Sequence, residues 1–260
     1  MFTLENGRRG RANASVPAVL KAFRLLDILS ESSEPLGVSE LARRLEMGKS
    51  TVYGLVTTLQ DVGAIEAADG AKRYKIGRGL TALAMRSMAR QDVRSAARPH
   101  LERLAAQTEQ TAFLGLVGTD SVTILDLVHG RPSMSVSAPV GAAIPLLAGA
   151  VGKAILAAWE PKRRARFIAH TELPKFTPQT ITDRGAYARA VDESERRGAA
   201  LDVDEYVDGM RAAASAVVAP DGRLAAVIWV AGFARHIDDA ALDKIADAIA
   251  HEARDLGRAL

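Results

Sequence analysis

Cysteine is absent from this chain of 260 residues. Disulfide bonds and thiol chemistry are therefore excluded, and a cytoplasmic protein is the simplest expectation. No apolar run reaches the roughly 18 residues that a membrane-spanning helix needs, so we expect no membrane association. The N-terminal segment 1–15 carries charges without an apolar segment behind them, and it therefore does not resemble a secretory signal.

The sequence is also poor in patterns that indicate metal, cofactor or catalytic chemistry. Its five histidines show no metal-ligand spacing. The acidic segment 202–208 lacks the glycine and the final glutamate of a calcium-binding loop, since Val207 and Ala213 stand at those positions. The segment GAVGK differs from a phosphate-binding loop at Leu147 and Ala154. We therefore expect no catalytic residues, no bound metal and no cofactor.

Net charge is low, but it is unevenly distributed. The formal net charge is +3. Residues 1–90 contain 14 lysines and arginines against 9 acidic residues, whereas residues 91–260 contain 20 against 22. A basic excess in the first third of the chain is typical of contact with nucleic-acid phosphates there. Within it, residues 1–14 form either a disordered tail or a basic arm that reaches a DNA minor groove.

The segment 38–59 predicts two short helices joined by a tight turn. Gly48 is expected to end the first helix in the left-handed conformation, and Ser50 is expected to cap the second. In the second helix an apolar stripe leaves the opposite face, centred on Gly54, to small polar residues. This pattern favours a helix-turn-helix that reads the DNA major groove, the alternative being a helical hairpin with a solvated face. The stripe consists of Val52, Leu55, Val56 and Leu59.

A helix and a hairpin are predicted on either side of this segment. The helix is expected from its cap at Ser15 to Leu29. The dipeptide Asp69-Gly70 predicts a hairpin turn between two short strands, which places Lys72 and Arg73 near its tip as phosphate contacts. Three helices and a hairpin together predict a winged helix-turn-helix. The apolar side of the first helix is expected to consist of Ala22, Phe23, Leu26 and Leu29.

From residue 93 onwards the pattern changes to mixed helices and strands. Several strands are joined in hairpins, and this arrangement favours an α+β domain over a doubly wound parallel sheet. The predicted strands are 112–117, 122–128, 134–138, 199–203, 213–218 and 223–230. The predicted helices are 98–108, 148–159, 161–169, 183–197 and 238–260.

Four blocks, in their linear order, resemble IclR-type transcriptional regulators. They are VSELARRLEMGKSTVYGLVTTLQDVGAIE, YKIGRGL, AIPLLAGAVGKAILA and ALDVDEYVDGMRAAASAV. The resemblance implies a winged helix-turn-helix over 15–77, a linker helix over 78–92 and an effector-binding domain of GAF-like fold over 93–260. It also implies a homodimer, or a dimer of dimers, that binds a near-palindromic operator in double-stranded DNA and responds to a small metabolite.

The resemblance also implies where DNA is contacted. The family usually has arginine at the position of Gly54, which stands at the centre of the exposed face. Base reading would then rest on Tyr53, Thr57 and the start of the helix, or on DNA shape, unless the glycine serves a close backbone approach. The expected DNA-binding residues are Arg43, Lys49, Ser50, Thr51, Tyr53, Gly54, Thr57, Lys72 and Arg73.

Similarly, the resemblance implies an effector pocket. Several positions that are polar in the family are apolar here, and one of them is Trp229. A pocket with fewer donors and a large aromatic should favour a flat, partly apolar molecule, such as an aromatic acid, whose anionic end contacts backbone N–H groups near Ala150. The expected effector-binding residues are Leu146, Leu147, Gly149, Ala150, Asp202, Ala212, Ala214, Trp229 and Ala231.

Taken together, these patterns predict an effector-responsive DNA-binding regulator, in the first place a repressor of a catabolic or transport operon. The alternatives are an activator of the same family, a small-molecule enzyme with an appended winged helix, and a protein-interaction module that uses the winged helix without DNA. Whether the effector releases DNA or strengthens binding stays open.

Overall fold

A computed structural model describes residues 16–68, 72–89, 93–130 and 135–260. The basic arm expected over residues 1–14, the predicted cap Ser15 and the predicted turn Asp69-Gly70 lie outside the described residues. The chain divides into two compact units, 1–91 and 92–260, and each is described by itself.

The first unit combines helices with a small antiparallel sheet. Its strands follow the order β1-β3-β2, and every pairing is antiparallel. The predicted winged helix-turn-helix is therefore confirmed. The helices are α1 (Pro17–Glu31), α2 (Val38–Leu45), α3 (Lys49–Asp61) and α4 (Arg78–Ala89), and the strands are β1 (Leu36–Gly37), β2 (Ile65–Ala67) and β3 (Arg73–Ile76).

The apolar stripes of α1, α2 and α3 form the core of the first unit. Leu25 of α1, Leu41 of α2 and Val52 of α3 are fully buried. The expectation for Phe23 is wrong, because its side chain is 63% exposed and Leu25 takes the buried position. A helix of 3.6 residues per turn separates adjacent residues by about 100°, so a stripe through Leu25, Leu26 and Leu29 turns Phe23 outward.

The turn between α2 and α3 differs from the prediction. Gly48 has extended backbone angles (φ −63°, ψ 142°) and precedes α3 as its N-cap, and Ser50 lies inside that helix. The left-handed residue is Glu46 (φ 54°), and the N–H of Met47 donates to the carbonyl of Ala42 at 3.0 Å. The helix thus ends two residues earlier, since backbone hydrogen bonds hold a non-glycine residue in a conformation that composition alone assigns to glycine.

The strand β1 is not predicted by the sequence patterns. Leu36 and Gly37 pair with Tyr74 and Arg73 of β3. In addition, the Nε of Arg73 donates to the carbonyl of Pro35 at 2.7 Å. A strand of two residues carries no readable alternation, so only its long-range partner identifies it.

The second unit is built on one six-stranded sheet. Its strand order is β6-β5-β4-β9-β8-β7, and all pairings are antiparallel. The expected α+β fold is confirmed. The strands are β4 (Thr111–Val117), β5 (Ser121–Val128), β6 (Ala143–Pro145), β7 (Ala200–Val203), β8 (Met210–Val218) and β9 (Leu224–Phe233). The helices are α5 (Val93–Thr108), α6 (Gly149–Ala157), α7 (Pro161–His170), α8 (Arg184–Arg197) and α9 (Asp239–Arg258).

One predicted strand of this unit is wrong. Residues 135–138 are not in a strand, and Met134 lies outside the described residues. The carbonyl of Val136 accepts a hydrogen bond from the hydroxyl of Thr111 at 2.7 Å instead of a ladder bond. The edge strand is β6, which follows the turn at Gly141 and pairs with the start of β5. Both segments are short and apolar, so periodicity does not distinguish them.

Side chains along β8 alternate between the two faces of this sheet, and the two faces pack against different helices. The side chain of Arg211 reaches the start of α9, where it donates to the carbonyl of Ile237 at 2.9 Å and to the carboxylate of Asp239 at 2.7 Å. Its neighbours Met210 and Ala212 point to the other face, which α6 covers. The candidate cavity lies on the side of α6.

Candidate functional site

The outward face of α3 is open to solvent. Ser50, Tyr53, Gly54 and Thr57 are all exposed, and the side chain of Tyr53 is 62% exposed. A Cβ added to Gly54 would meet no heavy atom within 4 Å. The hydroxyl of Thr57 donates to the carbonyl of Tyr53 at 3.0 Å. The face is therefore low and smooth, with Tyr53 as its one large side chain among these four residues.

The basic residues expected at the DNA surface differ in their surroundings. Arg43 donates to Glu40 at 2.7 Å, and Arg44 bonds to the same carboxylate at 2.8 Å. These hydrogen bonds lower the pKa of Glu40 to about 2. Lys49 and Lys72 are exposed and form no ion pair with the described residues, which leaves both ammonium groups available to a phosphate.

A cavity of about 260 Å³ lies between the sheet and the start of α6 in the second unit. The rings of Phe113 and Trp229 stack in its wall with 5.0 Å between centroids and 5° between planes. Gly115 lies beside this stack, because a Cβ there would approach the ring of Trp229 to 2.8 Å. The cavity therefore offers a flat aromatic surface.

The cavity brings together part of the expected effector-binding set. Ala150, Asp202, Ala212, Trp229 and Ala231 line it. Leu146, Leu147, Gly149 and Ala214 do not line it. Ala148, which lies within the expected segment 146–150, lines it as well. Further lining residues were not expected from the sequence, and they are Phe113, Ile124, Val136, Ser137, Ala138, Ile144, Val151, Tyr206, Val207, Met210 and Arg211.

One of the missed residues carried a sequence signal. Phe113 pairs directly with Trp229 across β4 and β9, so the two side chains lie on the same face. Alternation along both strands predicts that shared face once the pairing is known. The segment 136–138 carried no comparable signal, since it reaches the cavity from a loop.

The polar end of the cavity is formed by Asp202. Its side chain is 7% exposed, and its Oδ1 accepts the N–H of Glu205 at 2.7 Å. Burial raises the pKa of Asp202 to about 6. Close by, the ammonium group of Lys153 and the carboxylate of Glu205 form a buried ion pair at 2.5 Å. The cavity is thus apolar along its length and ionisable at one end.

Gly149 makes room for this carboxylate. It has φ +42°, and a Cβ at this position would overlap the Oδ2 of Asp202. A side chain here would therefore be excluded both by the backbone conformation and by the contact. Gly149 therefore contacts Asp202 without lining the cavity itself.

Neither a metal site nor a membrane-spanning helix is found in the described part of the chain. No group of three or more His, Cys, Asp or Glu side chains is placed to hold a metal ion among the described residues. Within the same residues, no helix has the length and apolar character needed to cross a membrane.

Two family models match the chain. The model of the C-terminal domain of the bacterial transcriptional regulator IclR matches residues 85–258, and the IclR helix-turn-helix model matches residues 18–69. The transcriptional regulator BhcR of Paracoccus denitrificans is 32% identical over 255 residues, which cover 95% of this chain and 91% of that protein.

Solved structures have the same fold. An IclR-type transcriptional regulator from Alicyclobacillus acidocaldarius matches with a TM-score of 0.77 at 25% identity, covering 94% of this chain and 98% of that one. An IclR homologue from Microbacterium hydrocarbonoxydans, crystallised with 4-hydroxybenzoate, matches with a TM-score of 0.76 at 21% identity, covering 94% and 100%.

Proposed function

This chain belongs to the IclR family of bacterial transcriptional regulators, and from that premise we propose that it is an effector-responsive repressor of a catabolic or transport operon in the cytoplasm. In this proposal residues 15–77 bind the operator, 78–92 connect the units and 93–260 bind the effector. The observation that carries the proposal is the cavity of about 260 Å³ with its stacked Phe113 and Trp229, in a chain that also carries a helix-turn-helix.

The proposed operator contacts are divided between α3 and the wing. The exposed start of α3 supplies Lys49, Ser50 and Thr51, and its outward face supplies Tyr53 and Thr57. In the wing, Lys72 is the stronger candidate for a phosphate contact, since the guanidinium of Arg73 already donates to Pro35. Arg43 can contact a phosphate through the guanidinium N–H groups that do not bond to Glu40. Because Gly54 offers no side chain, we expect DNA shape to contribute to specificity.

The proposed homodimer is supported by an unusual face of α1. Val16, Val19, Leu20 and Phe23 are between 43% and 63% exposed and follow the spacing i, i+3, i+4, i+7. Such a stripe on a helix that already buries its other side is typical of a protein–protein contact. A second copy of α1 would cover it with matching apolar residues, as a two-fold axis requires.

Phe23→Glu is therefore expected to weaken self-association. A charge in place of Phe23, the most exposed residue of the stripe, costs the contact its apolar burial, and sedimentation velocity should show the assembly move toward the monomer mass of 27.6 kDa. Val140→Glu, at a residue of the second unit that is 56% exposed, is the control and should leave the mass unchanged. An unchanged assembly of Phe23→Glu at micromolar concentration would contradict the α1 contact.

The proposed effector is a flat, partly apolar molecule with a polar end. The volume lies at the small end of ligand sites, which suits one aromatic ring. Stacking on Phe113 and Trp229 favours that ring, and Asp202 receives the polar end. The 4-hydroxybenzoate bound by the Microbacterium hydrocarbonoxydans protein is a molecule of this class.

A ligand screen coupled to a DNA assay tests the function. We expect aromatic acids or amides to raise the melting temperature in proportion to the logarithm of their concentration over Kd. Each stabilising compound should also change the salt-dependent binding of the DNA upstream of the protein's own gene. Stabilisation by pyruvate or glyoxylate and by no benzoate-like compound would overturn the ligand class, and the absence of any specific DNA complex would overturn the regulator.

A further inference from the structure

Resting on the proposed effector cavity, we propose that the effector group that reaches Asp202 both donates and accepts a hydrogen bond, as a carboxamide does, and that a carboxylate binds there only with uptake of one proton. The proposed effectors are thereby restricted from aromatic acids in general to amides and to acids that share one proton with Asp202. It also makes the response to an acid dependent on pH.

Asp202 and the start of α6 meet at one end of the cavity. The carboxylate lies at the end of the cavity, and its Oδ2 rests against the backbone of Gly149, the first residue of α6. Ala150 and Val151 follow in the first turn and line the same cavity. N–H groups of a first helical turn have no acceptor in a preceding turn, and the described residues supply none for these two. One end of the cavity thus presents an acceptor beside two donors.

Among the described residues, the cations near Asp202 are already bonded to other groups. From α6, Lys153 faces this region, and it is already paired with Glu205 at 2.5 Å. The segment after β7 contributes Glu205 and Tyr206, and β8 contributes Ala212 on this face. Arg211 of β8 contributes to the cavity wall, but its guanidinium lies on the opposite face of the sheet, where it bonds to Ile237 and Asp239. An incoming carboxylate would therefore meet an ionised Asp202, and no unpaired cation among the described residues would offset the repulsion.

Two carboxylates in one buried site cannot both ionise at ordinary cost, so they share a proton. Asp202 is prepared for this because burial already raises its pKa to about 6. A carboxamide avoids the conflict, since its NH2 group donates to Asp202 while its carbonyl accepts from the first turn of α6. Amide binding therefore needs no proton.

Isothermal titration calorimetry with benzoate and benzamide at pH 5.5, 6.5 and 7.5 tests the proposal. Benzoate should bind roughly 20-fold more weakly at pH 7.5 than at pH 5.5, because its affinity falls about tenfold per pH unit above the pKa of Asp202. Benzamide should keep its affinity from pH 6.5 to 7.5 and bind more tightly than benzoate at pH 7.5. The benzoate heats should also vary with the ionisation enthalpy of the buffer.

Asp202→Asn identifies the group that takes up the proton. In this variant, benzoate affinity should no longer depend on pH. Asp208→Asn, which changes an exposed acid of the same segment, is the matched control and should keep the wild-type profile.

Thermal melts without ligand check that Asp202→Asn folds. An acid whose folded pKa is raised makes the fold less stable as pH rises from about 4 through 6. The melting temperature of Asp202→Asn should therefore exceed that of the wild type at pH 7.5 and approach it near pH 4. A higher melting temperature of the wild type than of Asp202→Asn at pH 7.5 would contradict the conclusion that Asp202 is buried without a compensating charge.

The outcomes separate this inference from the proposed function. Benzoate binding that is equal at pH 5.5 and 7.5, or that depends on pH equally in Asp202→Asn, overturns the proton-sharing pair and leaves the effector cavity standing. Failure of both probes to bind at any pH overturns the aromatic ligand class and this inference with it.

Discussion

Lys49→Glu combined with Lys72→Glu is expected to weaken binding to double-stranded DNA roughly 50-fold per protomer at 0.1 M salt. Each lost phosphate contact removes about 0.9 from the slope of log K against log salt, and at 0.1 M two contacts correspond to nearly two orders of magnitude. Both side chains are exposed and form no ion pair with the described residues. The substitutions should therefore leave the fold intact. Fluorescence anisotropy over 50 to 300 mM salt measures both affinity and slope.

The matched control is Lys162→Glu with Lys244→Glu. It makes the same change of net charge at two exposed lysines of the second unit. Net charge alone acts over long range and would affect both pairs alike, whereas contact with phosphates affects only the first. Equal weakening by the two pairs, or an unchanged salt slope for Lys49→Glu with Lys72→Glu, would remove α3 and the wing from the DNA interface.

Lys153→Met is expected to destabilise the second unit by about 3 to 5 kcal/mol, because it leaves the carboxylate of Glu205 buried without its counter-charge. The side chain of Lys153 is 4% exposed and that of Glu205 is 13% exposed. Methionine is close to lysine in volume, so the loss would come from charge and not from a cavity. Urea unfolding followed by tryptophan fluorescence measures it, since Trp159 and Trp229 both lie in this unit.

The double variant Lys153→Met/Glu205→Gln separates charge from packing. Removal of the unpaired carboxylate should recover about 2 kcal/mol or more of the loss. Lys162→Met, at an exposed lysine of α7, is the control and should change stability by less than about 0.5 kcal/mol. If Lys153→Met proved as mild as Lys162→Met, the pair would have to be hydrated rather than buried.

The sequence by itself determined the architecture of both units. Helical periodicity identified α2 and α3, and the apolar runs of β4, β5, β8 and β9 identified the centre of the large sheet. These elements are long relative to their period or rich in branched residues, so local sequence is sufficient. The order of four blocks then pointed to the family before any contact was known.

Short elements and caps were decided by the tertiary structure. The left-handed residue of the turn is Glu46 and not Gly48, and the edge strand is β6 and not 134–138. At the turn, backbone hydrogen bonds to Ala42 and Arg43 hold Glu46 in the left-handed conformation, although glycine has the higher local propensity for it. At the sheet edge, two short apolar segments have similar local propensity, and pairing with the start of β5 selects β6.

The candidate site is divided in the same way. Resemblance to the family pointed to Asp202 and Trp229, which both line the candidate cavity, because motif positions carry over along the chain. It did not show that Phe113 stacks on Trp229, that Gly149 yields its side-chain space to Asp202, or that Lys153 is paired with Glu205. Each of these depends on segments that are far apart in sequence and meet only when the strands pair or when α6 packs against the sheet. The sequence therefore determined which residues are available, and the tertiary structure decided which charges and rings face one another.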